Sequence, residues 1–331
     1  MAINEIEKIT HAELQKLVEP AGQVVACQDE RAWRNARSER LTGSRTAAAI
    51  GFAEREYEGS PVSVWEDYQR ERRGEFDDSP TIEMEEGTAM QPYIARRYAR
   101  ETGVRLLEAP PYTIVRSVEH DWLQVTLDYV AVHPTDNHRL VECKFSSVWD
   151  AWEDGESPMS GLVQVVTQMV CTGMNGDLVG RVGRDLHIRP QELGKTTAFV
   201  NRVLIPQGRL FWGCVVNGVM PQIDGSDATT KTLKRLFKQV NDDDFAVVPG
   251  AEQIEARWRE LNDQIQAAEG ARDVLKNQVA ARLGNGKYGT DENGVTMFRR
   301  EMVKGFPVPA RYQESYAKGP MLTRKRTKEK G

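Results

Sequence analysis

The sequence predicts an α/β fold, a sheet flanked by helices, and three observations carry that reading. Three runs rich in β-branched and aromatic residues stand close together at 112–117, 122–132 and 138–145, with polar turns between them. Runs with apolar residues at helical spacing lie on either side of them in the chain, one stopping near Gly103 and another starting near Met159. Further on, residues 251–283 repeat apolar side chains at near-heptad spacing and lead into a short hairpin signal.

Taken in order, a helical region is expected around Glu5 to Val18. A second begins near Thr42 to Ile50, where candidate cap residues precede strong helix formers. Pro61 opens a third after the loop at 57–60, as proline does at a first helical position. The stretch 83–103 reads as a loop entering an amphipathic helix that stops near Gly103. After the three strands, Leu162, Val165, Val166 and Met169 recur at helical spacing, so this helix faces the sheet. Two apolar runs, 197–205 and 209–216, read as further strands, followed by a helical piece at 229–240 and an acidic loop at 241–244. The near-heptad stripe of Ile254, Trp258, Leu261, Ile265, Ala268, Leu275 and Val279, interrupted by Arg272, predicts a long helix or a helical hairpin broken near Gly270. Its apolar face packs either on this chain or a sister subunit, or serves as a nucleic-acid-facing arm. The run 288–303, with Asn293-Gly294 at its turn, reads as a hairpin.

The chain has 331 residues, enough for one large domain or two modest ones. With 44 Lys+Arg against 49 Asp+Glu the formal charge is -5, which excludes a histone-like polycation and an outright polyanion mimic but not a local basic groove. Cys27, Cys143, Cys171 and Cys214 form no CxxC pair, which disfavours a disulfide framework, a zinc ribbon or an iron–sulfur cluster and fits a reducing cytoplasm. The opening residues lack a basic leader followed by an apolar core, and no apolar run of about 18 residues occurs, so neither secretion nor membrane spanning is expected. The five histidines do not pair with the cysteines as a zinc site. The glycine-rich stretch 176–183 matches neither nucleotide-binding glycine pattern, so no nucleotide cofactor is expected.

The strongest chemical signal is the run 125–145. Asp128 ends one strand, and Glu142, Cys143 and Lys144 lie on the next. A period of two sends Glu142 and Lys144 to one face and Cys143 to the other. Asp128 and Glu142 can offer oxygen ligands to Mg²⁺ or Mn²⁺, and the Cys143 backbone carbonyl can add one more. Lys144 can then orient or activate water and stabilise charge developing on a phosphate, the division of labour of metal-assisted phosphodiester cleavage. An isolated Glu-x-Lys is common on solvated strands; the apolar strand around it, the acidic residue before it and the glutamine-bearing helix after it make this one distinctive.

These residues resemble the YqaJ-like viral recombinase family, which includes the phage lambda exonuclease, within the PD-(D/E)xK nuclease superfamily. The resemblance spans roughly 30–225 and implies a restriction-endonuclease-like core, a central mixed sheet flanked by helices, with a helical C-terminal elaboration and a terminal hairpin. Trp33-x-x-x-Arg37 followed by Thr42-Gly43-Ser44 resembles the family element that receives a terminal DNA phosphate, so that role falls on Arg37 and Ser44. Asp128 with Glu142-Cys143-Lys144 matches the acidic and Glu-x-Lys motif, although Thr-Leu-Asp-Tyr replaces the usual flavour. Gln164 corresponds to the family's functional glutamine, while Gly161 stands where an aromatic residue is usual.

One departure changes the chemistry expected. Where the family places a glutamate four residues after a glycine and before a proline, this chain has Gly87 and then Gln91-Pro92. Gln91 can hydrogen-bond a water on the metal but supplies no carboxylate. Glu85 and Glu86 are either substitutes from the preceding segment or ordinary capping and solvated residues, and Gln168, one turn beyond Gln164, reads as a polar helix residue.

The resemblance implies a magnesium-dependent exonuclease acting 5′ to 3′ on double-stranded DNA ends to prepare recombination. It further implies a single-strand annealing protein as partner and a homotrimer or other homo-oligomer, with no membrane contact. A catalytically weak DNA-end-binding recombination module is the alternative. Location in the cytoplasm, that of a bacterial host if the gene is phage-borne, accompanies either reading. Arg34, Arg40, Arg45, Arg96, Arg97 and Arg100 either contact successive phosphates or form ordinary ion pairs, and Trp33 is expected to support Arg37 by packing. The expected division is an N-terminal helical extension (1–30), a nuclease core (31–225), the helical elaboration and hairpin (226–317) and a basic tail (318–331). The tail's six basic residues either strengthen DNA association or solubilise the chain.

Overall fold

The computed structural model describes residues 6–53, 59–76, 81–133, 138–146, 152, 157–238 and 247–299, together with three short backbone strands beyond them. The chain divides into two units, 1–240 and 241–331. The acidic loop at 241–244 and nearly all of the basic tail lie outside the described residues.

The first unit opens with β1 (Glu7–Lys8), α1 (His11–Val18), β2 (Gly22–Ala26), α2 (Glu30–Ser38) and β3 (Leu41–Thr42). Three helices follow, α3 (Gly43–Ala49), α4 (Pro61–Arg72) and α5 (Ile82–Thr102). Next come β4 (Arg105–Glu108), β5 (Thr113–Ser117), β6 (Leu123–Val125), β7 (Tyr129–Val132) and β8 (Arg139–Ser146). The unit continues with α6 (Met159–Thr172), β9 (Asn175–Val182), β10 (Asp185–Gln191), α7 (Leu193–Phe199), a π-helical turn at Val200–Leu204, α8 (Ile205–Asn217) and α9 (Asp227–Leu236).

Local chemistry sets many of the boundaries. Thr10 and Glu13 cap α1 reciprocally, Ser60 and Ser63 do the same around Pro61 at the start of α4, and the Thr81 hydroxyl accepts from Met84 N–H at the start of α5. Gly103 and Gly173 end α5 and α6 in the left-handed conformation that glycine adopts without strain.

Two sheets result. The larger is mixed, in the order β1-β4-β7-β8-β9-β10, with parallel pairs β1·β4 and β8·β9 and antiparallel pairs elsewhere. The smaller runs β2-β5-β6-β3. Helix α5 covers one face of the larger sheet, where Ile94, Ala95 and Tyr98 meet Leu106, Ala131, Val141 and Cys143. On the other face, Val165, Val166 and Met169 of α6 pack with Leu140 and Leu178 in the main core. The α/β class with a central mixed sheet flanked by helices is thus the observed one.

Several expectations need correction. The runs 197–205 and 209–216 are helical, because their buried positions Val200, Leu204, Gly208, Phe211, Trp212 and Val215 recur at three or four residues and not at two. Apolar content alone suggested strands, and Pro206 in the first turn of α8 fits the helix. The single strand expected at 122–132 is two strands in different sheets, with a break at 126–128. The segment before Gln91 is helix rather than loop, since Thr81 caps α5 and the helix carries Pro92 within it.

The glycine-rich stretch forms most of β9, where a Cβ on Gly180 would fall 2.2 Å from the Trp152 ring. The first thirty residues are no mere helical extension: β1 joins the larger sheet and β2 the smaller. Helix α9 packs with α4, Thr229 Oγ1 donating to Ser60 Oγ, which groups it with the first unit.

In the second unit, α10 (Ala251–Leu283) runs unbroken through Gly270 with no buried residue. The hairpin is β11 (Tyr288–Thr290) with β12 (Thr296–Arg299). Beyond it lie β13 (Met302–Val303), β14 (Tyr316–Ala317) and β15 (Met321–Leu322). Asp291 Oδ1 accepts from the backbone N–H groups of Asn293 and Val295 to close the hairpin turn. Among the described residues no helix is long and apolar enough to cross a membrane.

Candidate active site

Strands β7 and β8 pair antiparallel from Ala131↔Arg139 to Tyr129↔Val141, and there the ladder ends. Continuing that register would set Asp128 opposite Glu142, and like charges directly opposed destabilise a strand pair. The backbone departs at this point, and the Asp128 side chain takes over from it: Cys143 N–H donates to Asp128 Oδ2 at 3.0 Å. A strand residue presents its N–H and C=O to the same neighbour. The Cys143 carbonyl therefore lies on the Asp128 side, past the last β7 rung.

The alternation along β8 is the expected one. Cys143 is buried against α5, whereas Glu142 and Lys144 meet glutamines of α6. Gln164 is amphoteric here: its Nε2 donates to Glu142 Oε1 (2.7 Å) and its Oε1 accepts from Lys144 Nζ (2.8 Å). Lys144 Nζ also lies 2.9 Å from Glu142 Oε1. Gln168 Nε2 donates to the other oxygen, Glu142 Oε2, at 2.7 Å, and to the Thr126 carbonyl at 3.1 Å. Sequence reasoning assigned Gln168 no such partner, although its position four residues after Gln164 on one helix face was the available signal. What the spacing could not show is that one carboxylate lies within reach of both amides.

Electrostatically the site is under tension. Burial, and then the neighbouring Glu142 charge, push the Asp128 carboxyl well above the usual carboxylate range, against the opposing pull of the Cys143 N–H, Lys144 and Gln91. Burial pulls Lys144 downward, but Glu142 and Asp128 outweigh it and hold the ammonium above its ordinary value. Protein surrounds Lys144 on its inner side, yet 38% of its side chain still reaches solvent. Burial raises the Cys143 thiol, which leaves that side chain a neutral packing group. Gln91, on α5, lines the same cleft as Asp128, and its amide favours the ionised form of that carboxyl. Glu85 and Glu86 are exposed near the start of α5 and are not brought to the site.

A divalent cation fits this donor set. One buried carboxylate, Glu142, and one half-buried carboxylate, Asp128, whose mutual repulsion is incompletely offset, with a backbone carbonyl beside them, are hard oxygen donors of the kind Mg²⁺ takes while keeping several waters. No cluster of three or more His, Cys, Asp or Glu side chains suited to a metal occurs among the described residues.

A cleft of about 860 Å³ opens beside Asp128 and Gln91 and is also lined by Trp33, Arg37 and Arg45. Arg37 lies over the Trp33 ring, 4.5 Å from its centroid, and its Nη2 donates to Ser44 Oγ at 3.3 Å. Its Nε is buried without a partner, and among the described residues the guanidinium forms no ion pair. Burial, then the nearby Arg45 charge, lower its pKa. The other basic residues of this region divide. Arg45 pairs with Glu71, Arg34 with Glu30, and Arg97 with Glu101, whereas Arg96 and Arg100 are exposed on α5.

Residues 32–175 match the family described as the YqaJ-like viral recombinase domain. A comparison with the curated proteins finds no match. Among solved structures, an alkaline exonuclease, LHK-Exo, from Laribacter hongkongensis is similar at 18% identity and a TM-score of 0.46, covering 62% of this chain and 97% of that one. LHK-Exo in complex with dAMP is similar at 19% identity, with the same TM-score and coverage.

Proposed function

With residues 32–175 belonging to the YqaJ-like viral recombinase domain family, we propose that this chain is a magnesium-dependent deoxyribonuclease that degrades one strand of duplex DNA from its end. One observation carries the reading: the cleft that exposes the Asp128 end of the carboxylate–lysine cluster also holds Arg37, a half-buried cation with its Nε buried and with no anion paired to it among the described residues.

Asp128, Glu142 and the Cys143 carbonyl would hold the cation, with Gln91 reaching it through a water. Bound there, Mg²⁺ (or Mn²⁺) would polarise the scissile phosphate and supply a nucleophile at neutral pH. The chain's own groups do the rest. Gln164 and Gln168 hold both oxygens of Glu142, so its carboxylate plane is fixed before substrate arrives. Lys144, kept protonated by its carboxylate neighbours, is unsuited to removing a proton and suited to orienting water and countering charge on the phosphate. Arg37, preset over Trp33, and Ser44 would receive the terminal phosphate. Cleavage in the 5′ to 3′ direction, service to recombination through a single-strand annealing partner, and assembly as a homotrimer or other homo-oligomer are the finer parts of this reading.

The test uses linear duplex with Mg²⁺ or Mn²⁺ and either 5′-phosphate or 5′-hydroxyl ends, comparing the parent with Asp128→Ala and Lys144→Ala. Mononucleotide release lost in both variants supports the proposal. Tight end binding without cleavage by any of the three overturns it.

A second reading, a catalytically weak DNA-end-binding module, is favoured by Gln91 standing where a third carboxylate would complete the site. Gln91→Glu separates the two: a marked gain in magnesium-dependent cleavage points to a parent enzyme weakened at this position.

A further inference from the structure

Helix α10 presents an apolar seam that none of the described residues of its own unit covers. Ile254, Trp258, Leu261, Ile265, Ala268, Arg272, Leu275 and Val279 alternate at steps of four and three through four heptads, filling every a and d position. Trp258 is 66% exposed and Leu275 61%, and no residue of the helix is buried. Gly270, where a break was open to expectation, occupies an outward f position and leaves the seam intact. A strict two-in-seven stripe of this kind is the narrow seam of a coiled coil, not the broader face of a helix docked on a globular core.

We propose that this seam is covered by α10 of a second copy of the chain, running antiparallel. Three features of the seam decide occupant and direction together. In a parallel pair each residue meets its own equivalent, so Arg272 would face the partner's Arg272, Trp258 the partner's Trp258, and Ala268 the partner's Ala268. One layer would be repulsive, one overfilled and one void. In the antiparallel register that uses all eight positions, Trp258 meets the partner's Leu275, Ile265 the partner's Ala268, and Val279 the partner's Ile254. Arg272 then lies along the partner's Leu261, where its stem covers the apolar side chain and its guanidinium reaches water.

The flanking charges agree with that register. It brings the e-position Glu255 beside the partner's Lys276 at both ends, and Asn262 beside the partner's Glu269 between them. Glu255 and Lys276 already hold exposed intrahelical pairs with Arg259 and Asp273, and exposed pairs of this kind rearrange at little cost. Duplex DNA is a poorer occupant, since the seam itself offers phosphates one cation, Arg272, among seven apolar side chains.

The test uses the full-length chain carrying Ile254→Cys or Val279→Cys, with the two variants, differently tagged, produced together or separately. In the antiparallel pair residue 254 lies beside the partner's residue 279, while two residues 254 are about 37 Å apart along the axis. A mixed disulfide at least tenfold more abundant than either self-linked product is expected. Self-linking of either variant as strong as the mixed product, or no linking in the mixture, overturns the proposal. So does protection of the thiol introduced by Ile254→Cys from alkylation only when duplex DNA is added. In the linked background Glu255→Lys should lower the yield several-fold and Lys276→Glu beside it should restore it. Absence of that rescue overturns the register.

Discussion

Two clusters of charge, each built on one buried carboxylate, lie on the same sheet and differ in one respect. On β9, Asp177 receives Arg139 Nε at 2.9 Å and Nη2 at 2.5 Å on one oxygen and the Tyr98 hydroxyl at 2.6 Å on the other. Arg139 Nη2 also donates to the carbonyls of Gly176 and Gln191. One positive charge meets one negative, and the phenol adds a neutral donor. At the other cluster Asp128 and Glu142 share one lysine, and the remaining donors are amides. Balanced charge with satisfied hydrogen bonds fastens α5 to the sheet. Unbalanced charge beside an open cleft suits a site for a cation.

The contrast can be broken from either side. The largest effect is expected at the balanced cluster: Asp177→Ala leaves the largely enclosed Arg139 without its anion and should cost about 3–5 kcal/mol of stability, read by chemical denaturation. Asp128→Asn should do the reverse. Cleavage falls on the order of 10²–10³-fold, about 3–4 kcal/mol of transition-state stabilisation, while stability in chelator holds or rises.

The sign of the pH dependence sharpens this point. The Asp128 carboxyl is pushed up to about 7 in the fold, above its unfolded value near ~4, so the folded state binds the proton more tightly. Stability of the cation-free parent therefore contains a contribution that is present at low pH and lost as pH rises from about 4 to 7. The advantage of Asp128→Asn over the parent should grow across that window, and a difference flat in pH would contradict the assignment. Gln168→Ala should weaken cation affinity or activity by about 10–100-fold through a loosened Glu142, with little loss of fold. The smallest effect belongs to Arg105→Ala. It breaks an exposed pair with Glu7 between β4 and β1 and should change stability by less than about 1 kcal/mol, against the several lost at Asp177.

How far the site was legible depended on local pattern. A period of two on β8 set Glu142 and Lys144 on one face, and a period of 3.6 on α6 set Gln164 and Gln168 on one face, so each half could be read alone. That Gln168 reaches Glu142 depends on the distance between helix and sheet, which no spacing encodes. The same limit explains the helix of α8. Its run is apolar enough for a strand, and only the burial of Gly208 against the Trp122 ring and of Trp212 against Tyr68 shows which period the core uses.

By itself the sequence determined the α/β class, the proline start of α4, the carboxylate–lysine pair and the heptad seam of α10. All of these follow from chemistry within a few residues or from a repeat along one element. The tertiary structure decided that β6 and β7 part at Asp128, that the first thirty residues join both sheets, and that Arg37 faces the same cleft as Asp128. Those outcomes rest on which distant surfaces bury each other, and that is settled by packing across the whole core rather than by any local stretch of chain.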